Sequence, residues 1–455
     1  MKFVKMGIIA GFVLCSVVSS SAADEISELK DMVQEMRADY EIKIKTLEDK
    51  IGQLEENQSR QVEASVASMR EEVKQEIKAE SWNAEYVGRY EGDFKKGGLE
   101  IGSSSGFSKV TLGGYMDHEF ENFENTNSTF DQHRWVINVG AQIGERLRFF
   151  SEFEVEHGGP DASGGGEAKI EQAYVDYLIE DWVNFRAGAM LAPFGRANIY
   201  HDSDLRDLTS RALVSRDIIP TTWTESGVGF FGAAEPIIGS YEDLELNYEV
   251  QVVNGLNDGF SSTGMRGARG SLSSDNNNSK AVVGRLVLSP LLGHEVGFSG
   301  YWGKYNTLDD AITGGAVDFL STWGPLSFEG EYAYFDIDEP DFADTGVTDI
   351  AENMQGYYLQ ANYHFWPKFL DRTFLARSFE NPTFTLISRY GWAKIDNDST
   401  TGTGDNEEDR YTLGLNYRPV ESWVFKLEHQ WNQTENAALE RGDNNGWLWS
   451  VAMGF

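Results

Sequence analysis

The segment that most constrains the fold is residues 447–455, WLWSVAMGF. Trp447, Trp449, Val451, Met453 and Phe455 alternate with Leu448, Ser450, Ala452 and Gly454. Strict period-two alternation marks a strand with two different environments, here one large and apolar, the other mostly small. In a soluble sheet the apolar face would pack on a core. In this chain the same pattern, about ten residues long, recurs along most of the sequence, which points to a closed barrel in lipid.

The start of the chain agrees with export. Lys2 and Lys5 precede an apolar stretch, residues 8–18, too short to span a bilayer as a helix. Ser21, Ala22 and Ala23 follow, so cleavage is expected after Ala23 and residues 1–23 read as a signal peptide. The single cysteine, Cys15, lies inside it, and the mature chain is expected to have neither disulfide nor thiolate chemistry. A formal net charge of -35 excludes a nucleic-acid partner, which needs clustered basic charge. Aromatic residues make up 13% of the chain, and 47 glycines stand against 10 prolines, a composition that fits a barrel with aromatic girdles.

Residues 24–81 read as helix, with one glycine, Gly52, and no proline. Ile26, Leu29, Val33, Met36 and Tyr40 step by three and four; Ile44, Leu47, Ile51 and Leu54, then Val62, Val66, Met69, Val73 and Ile77, continue with shifted phase. Sustained a/d periodicity with phase shifts predicts a coiled coil with stutters. The alternative is one amphipathic helix lying on another surface. Residues 82–108 read as a linker with one short strand.

From Lys109 onward about sixteen antiparallel strands are expected: 109–121, 131–143, 147–157, 169–179, 182–191, 226–234, 243–254, 280–289, 294–305, 313–323, 326–335, 355–366, 382–395, 408–418, 421–433 and 446–455. Very short connections at 144–146, 180–181, 324–325 and 419–420 mostly alternate with long polar ones at 158–168, 192–225, 255–279, 336–354, 396–407 and 434–445. This is the asymmetry of an outer-membrane barrel. The 367–381 connection is longer than that pattern and 306–312 shorter. An even strand count puts both ends, and hence the coiled coil, in the periplasm. The fold class is therefore an all-β transmembrane barrel, residues 109–455, preceded by a periplasmic helical coiled coil.

Charged residues facing lipid at the midplane cost about 2–4 kcal/mol for Arg or Lys, so the polar strand faces must line the interior. By parity Arg134, Arg148, Arg186, Arg285, Arg389, Arg410, Arg418 and Lys426 point inward, with Glu152, Glu154, Glu156, Glu245, Glu249, Glu329, Glu331 and Glu428. A barrel of this size encloses an aqueous channel.

The stretch 187–232, AGAMLAPFGRANIYHDSDLRDLTSRALVSRDIIPTTWTESGVGFFG, resembles the phosphate-selective porin O/P family. The likeness lies in a strand, a Pro-Phe-Gly element, a long loop and a Gly-rich strand, and its layout extends over about 109–455. The resemblance implies a homotrimer of sixteen-stranded barrels whose third long loop folds into the lumen. Pro193, Phe194 and Gly195 would start that loop, and residues 196–225 would form the constriction. Phosphate-selective members line the pore with Arg and Lys. This loop departs from that: Arg196, Arg206, Arg211 and Arg216 stand with Asp202, Asp204, Asp207, Asp217 and Glu225. The four arginines could bind anions by forked hydrogen bonds, or pair with the carboxylates and hold the loop.

The seven histidines are scattered singly, and no HExxH or Gly-x-Ser-x-Gly element occurs. No enzyme, catalytic residue, metal site or cofactor is expected. The oxygen-rich stretches at 396–409 and 336–344 lack the spacing of a calcium loop and read as solvated acidic loops facing lipopolysaccharide. The expected function is passive diffusion of small hydrophilic solutes and ions through an outer-membrane porin, with anions such as phosphate as one candidate class. Expected partners are outer-membrane lipid, lipopolysaccharide, two further copies and the barrel-assembly machinery, for which Phe455 and its strand resemble the signal; the coiled coil could also reach the cell wall. Two other readings stay open: a structural tether between outer membrane and cell wall, and a sheath for a partner such as a multihaem cytochrome.

Overall fold

The computed structural model describes residues 31–39, 41–53, 65–70, 82–87, 98–103, 108–158, 166–235, 244–261, 263–338, 351–396, 406–435 and 443–455. It divides into two units, Met1–Ala79 and Glu80–Phe455. In the first, residues 31–39, 41–53 and 65–70 are helical. Val33, Met36, Ile44, Leu47 and Ile51 are exposed in the single chain, flanked by one-turn ion pairs Arg37–Glu41 and Lys43–Asp39. A helix is present, and the supercoil expected of it needs a second one. The signal segment, and the positions Ile26, Leu29, Tyr40, Leu54, Val62, Val73 and Ile77, lie outside the described residues.

In the second unit the strands are β1 (Trp82–Tyr86), β2 (Leu99–Ser103), β3 (Ser108–Phe123), β4 (Thr129–Ile143), β5 (Leu147–Glu156), β6 (Glu167–Glu180), β7 (Val183–Leu191), β8 (Thr224–Ala234), β9 (Glu245–Val253), β10 (Ala281–Leu291), β11 (His294–Lys304), β12 (Ala311–Trp323), β13 (Leu326–Ile337), β14 (Asn353–Phe365), β15 (Thr383–Asp396), β16 (Asn406–Val420), β17 (Trp423–Thr434) and β18 (Gly446–Gly454). Each strand from β3 to β18 pairs antiparallel with the next, and β18 pairs with β3, closing a sixteen-stranded barrel. Every strand expected from the period is present. The linker holds two short strands rather than one: β1 pairs with β2, and β2 with the start of β3. At the seam, Phe455 N–H donates to Gly114 O at 2.9 Å and Gly114 N–H donates to Phe455 O at 3.2 Å.

The two faces separate as the alternation requires. On β4 Arg134 is 2% exposed and its neighbour Trp135 is 47% exposed. On β16 and β17, Tyr411, Leu413, Leu415, Trp423, Phe425 and Leu427 face outward, while Arg410, Lys426 and Glu428 are buried inside. An outward belt of this kind meets lipid, with its aromatic residues suited to the interfaces.

The interior differs from the uniformly polar lining the parity argument gave. The inward row of β13 runs Glu329, Glu331, Ala333, Phe335, Ile337, polar toward the short turns and apolar toward the long loops. Val253, Val283, Tyr301, Ile312, Met354 and Ile395 continue that apolar patch on neighbouring strands. The physical reason is the 192–223 loop, whose own apolar residues need a surface to bury against inside the barrel.

Candidate constriction site

The loop between β7 and β8 enters the lumen at Pro193, Phe194 and Gly195. Gly195 has φ +74°, and an added Cβ there would collide with the Glu331 carboxylate and with Ile219. Only glycine turns the chain inward at that point without strain. A single helical turn, Arg196–Ile199, follows, and Glu331 accepts a hydrogen bond from Ala197 N–H at 3.2 Å.

The two ends of the loop are clamped together by the buried Asn198. Its Nδ2 donates to Ala192 O at 2.9 Å and Trp223 O at 3.2 Å, and its Oδ1 accepts from Trp223 N–H at 2.8 Å. Phe194 and Trp223 then pack on each other at 5.7 Å between ring centroids, Phe194 on Phe335 at 5.0 Å and Trp223 on Tyr301 at 5.1 Å. This aromatic root accounts for the apolar half of the inner wall.

From the root the loop crosses to the far wall. Glu428 on β17 accepts hydrogen bonds from Thr209 N–H at 2.7 Å and Ser210 N–H at 3.2 Å. Thr209 Oγ1 meets Ser450 Oγ on β18 at 2.8 Å. Lys426 donates to Ser203 O at 2.6 Å, Arg418 to Asp204 O at 3.0 Å, and Asn416 and Asn362 to the Asp207 carboxylate at 3.0 and 2.9 Å. The small inward face of β18 therefore has a use: Ser450 and Ala452 leave room for the loop that lies over them. Strands β7 and β8 lie across the barrel from β16 and β17, so the loop spans the lumen.

The four loop arginines split into two kinds. Arg196 pairs with Glu295 at 3.0 Å and Glu329 at 3.7 Å, and Arg216 with Asp217 at 2.7 Å and Glu408 at 3.0 Å. Arg206 instead donates to Thr209 O at 2.6 Å and Ser203 Oγ at 3.1 Å, and Arg211 donates to Thr221 O at 2.7 Å. Neither has a carboxylate partner among the described residues, and Arg206 Nε and Arg211 Nη2 are buried without a hydrogen-bond partner. Two further arginines, which the sequence reading missed, reach the same region from the 254–280 loop: Arg266 donates to Thr221 O at 2.6 Å and Arg269 to Thr222 O at 2.9 Å. The basic spacing of residues 265–270, MRGARG, was the available signal. Burial, and then the like charges of Arg134, Arg206 and Arg266, hold the pKa of Arg211 well below the usual guanidinium value. Burial also lowers those of Arg266 and Arg269.

Two cavities meet at this loop. One, about 360 Å³, opens toward the long-loop end and is bounded by Glu121, Phe123, Asn432 and Asn444. The other, about 240 Å³, lies toward the short-turn end and is bounded by Arg196, Glu329, Gln360 and Arg389. Arg206, Ser210 and Arg211 line both. A third cavity of about 560 Å³ holds Arg148, Arg186 and Arg285.

The wall residues expected from parity do face inward, and most are paired. Arg134 binds Glu154 at 3.2 Å and Glu156 at 2.6 Å; Arg186 binds Asp176 at 2.8 Å; Arg285 pairs with Asp318, and Arg410 with Glu408 at 2.9 Å. Arg389 donates to Ser210 O at 3.0 Å. Glu152 and Glu331 are buried, and Glu329 half-buried. Asp202 lies 3.4 Å from His201 Nε2. Of the two acidic stretches, only Asp336, Asp338, Asp396 and residues 406–409 fall among the described residues.

Known proteins agree with this architecture. The channel DcaP of Acinetobacter baumannii superposes with TM-score 0.50 at 12% identity, over 77% of this chain and 99% of that one. OmpF of Salmonella typhi, solved with daunomycin, gives 0.51 at 14% identity, over 77% and 98%. These likenesses show the fold. An uncharacterized protein of Aquifex aeolicus (strain VF5) is 34% identical over 153 residues, 32% of this chain and 32% of its own length. The chain thus spans about a third of the curated relative it matches. Family and fold together support a channel of the outer membrane. Residues 110–319, from the first barrel strand to the twelfth element of the sheet, match the family described as phosphate-selective porin O and P, the family whose likeness the 187–232 stretch carries.

Proposed function

We propose that the chain forms a water-filled outer-membrane pore for passive diffusion of small hydrophilic solutes, with small oxyanions such as phosphate favoured at the loop. One observation carries the reading: Arg206, Ser210 and Arg211 line the cavities on both sides of the loop, and the two arginines lack carboxylate partners among the described residues. A solute moving between the cavities passes forked donors and a hydroxyl. Guanidinium groups match the planar geometry of oxyanions, and an anion there would relieve the crowding of like charge around Arg211. Ladders of one sign set ion preference in a pore. Two carboxylates of the loop itself are engaged elsewhere, Asp207 by two asparagines and Asp217 by Arg216. The crossing loop leaves little space for a threaded guest protein.

The same reading includes a homotrimer, as the family resemblance implies, with the N-terminal helices paired in the periplasm. The test is reversal potential in planar bilayers under a KCl gradient, with phosphate as competitor. Anion preference and phosphate block in the wild type, both reduced in Arg206→Ala and Arg211→Ala, support the reading. Cation preference keeps the pore and removes the anion site. Absence of conductance favours the tether.

A further inference from the structure

On the wall beside the loop root, three buried groups converge: Glu152 on β5, Glu171 on β6 and His201 on the loop. Their ligand atoms lie within 4.8 Å of one another, and all three residues are at most 3% exposed. We infer that Glu152, Glu171 and His201, with Asp202, hold one divalent transition cation that fastens the lumenal loop to the barrel wall.

Local backbone structure aims these groups. β5 pairs Glu152 with Gln172 and Phe153 with Ile170, so Glu171 is the extra residue of a β-bulge. The bulge turns two consecutive residues, Glu171 and Gln172, toward the lumen, which regular alternation forbids. Gln172 then donates to one Glu152 oxygen at 2.6 Å and leaves the other free.

The histidine is oriented as a ligand would be. His201 Nδ1 lies 2.8 Å from Asn198 O. A carbonyl only accepts, so the proton sits on Nδ1. Metal-bound histidines use their second nitrogen in this way. Nε2 is then left facing Glu171 Oε1 at 2.9 Å and Asp202 Oδ1 at 3.4 Å. A neutral imidazole's lone pair against carboxylate lone pairs is repulsive, so the contact needs either a cation between them or a second proton on Nε2. Spacings of about 3 Å are the edges of a polyhedron with bonds of about 2.1 Å.

An ion would close both the charge and the hydrogen bonding of the cluster, which three carboxylates and one imidazole leave open. Glu152 Oε1, both Glu171 oxygens, His201 Nε2 and Asp202 Oδ1 are buried with no hydrogen-bond partner. Unpaired buried carboxylates are costly. Arg134, whose charge acts on Glu171, is committed to Glu154 and Glu156. One imidazole with three carboxylates suits Zn²⁺ or Mn²⁺ better than Ca²⁺, which collects six to eight oxygens. Sequence motifs did not signal the site because its ligands come from two strands and a loop, about fifty residues apart at the extremes.

The test uses the full-length protein folded in detergent, stripped with EDTA, dialysed against Zn²⁺ or Mn²⁺ alone, and analysed by elemental mass spectrometry and thermal melting. One ion per chain and a metal-dependent rise in Tm are expected in the wild type, with both lost in His201→Gln and Glu171→Gln. Glu152→Gln, which keeps the bond to Gln172, should bind more weakly. Background metal content in the wild type, or stoichiometric metal persisting in His201→Gln and Glu171→Gln, overturns the proposal. If those variants do not fold, the wild-type content and Tm shift decide it. Should the ion be absent, a protonated His201 is what joins the loop to Glu171.

Discussion

Glu428 is the carboxylate that holds the tip of the loop, and removing it gives a sharp test of how the constriction is built. It is 1% exposed and accepts the Thr209 and Ser210 N–H groups. Hydrogen bonds to a charged group contribute about 1.5–3 kcal/mol each, so Glu428→Ala weakens the anchorage by about 3–6 kcal/mol. Each 1.4 kcal/mol is tenfold in population, so the displaced state of the tip gains at least about a hundredfold. Glu428→Gln keeps one acceptor and turns an amide N–H toward the second donor, so its effect falls between wild type and alanine. The assay is single-channel conductance at 1 M salt, where a Debye length of about 3 Å screens the lost charge and leaves geometry. Tryptic cleavage after Arg206 and Arg211 gives an independent readout. Alanine should give larger, noisier openings and faster cleavage. Wild-type conductance, noise and trypsin resistance in Glu428→Ala would refute the view that this carboxylate positions the tip.

Trp223→Ala empties the aromatic root between Phe194 and Tyr301 and should cost about 3–5 kcal/mol, read as a lower thermal transition. Asn198→Ala leaves the buried Trp223 N–H without a partner, while Trp223 O and Ala192 O keep the Ala192 and Phe194 N–H groups; at about 1–3 kcal/mol for the group left unmade, the loop root should loosen, seen as faster hydrogen exchange there. Leu413→Arg puts a cation on the outward face of β16, near mid-strand, and should destabilise the barrel by about 2–4 kcal/mol, measured as a lower denaturation midpoint in lipid.

Much of the fold was legible because a strand with lipid on one side and water on the other must alternate. That rule located all sixteen barrel strands and put Arg134, Arg410 and Lys426 on the correct face. It gave one short strand where β1 and β2 stand, since both are too short to show a period, and it was silent on the bulge at Glu171, where alternation locally fails. The lumenal course of the loop was legible only through the family resemblance that Pro193, Phe194 and Gly195 help to carry. The division of its arginines was not. Arg196 and Arg216 find carboxylates on β11, β13 and β16, far away in sequence, while Arg206 and Arg211 end on backbone carbonyls and a serine hydroxyl of the loop itself. Counting charges in one loop cannot show which are neutralised, since that depends on which wall the loop reaches. Arg266 and Arg269 enter from a separate loop for the same reason.

The seam between β3 and β18 differs from every other strand pair in what lies between its halves. Neighbouring strands elsewhere are joined by turns or loops of at most a few tens of residues, whereas Tyr115 and Gly454 pair across roughly 340 residues of chain. Closure entropy grows as the logarithm of that span, about 5 kcal/mol at the seam against about 2–3 kcal/mol for a typical hairpin. The hairpins can therefore assemble one after another as an open, curling sheet, and the ring is completed in a final step when β18 finds β3. Run backward, the same inequality makes this junction the weakest line in the wall, with the two backbone bonds between Phe455 and Gly114 as its latch.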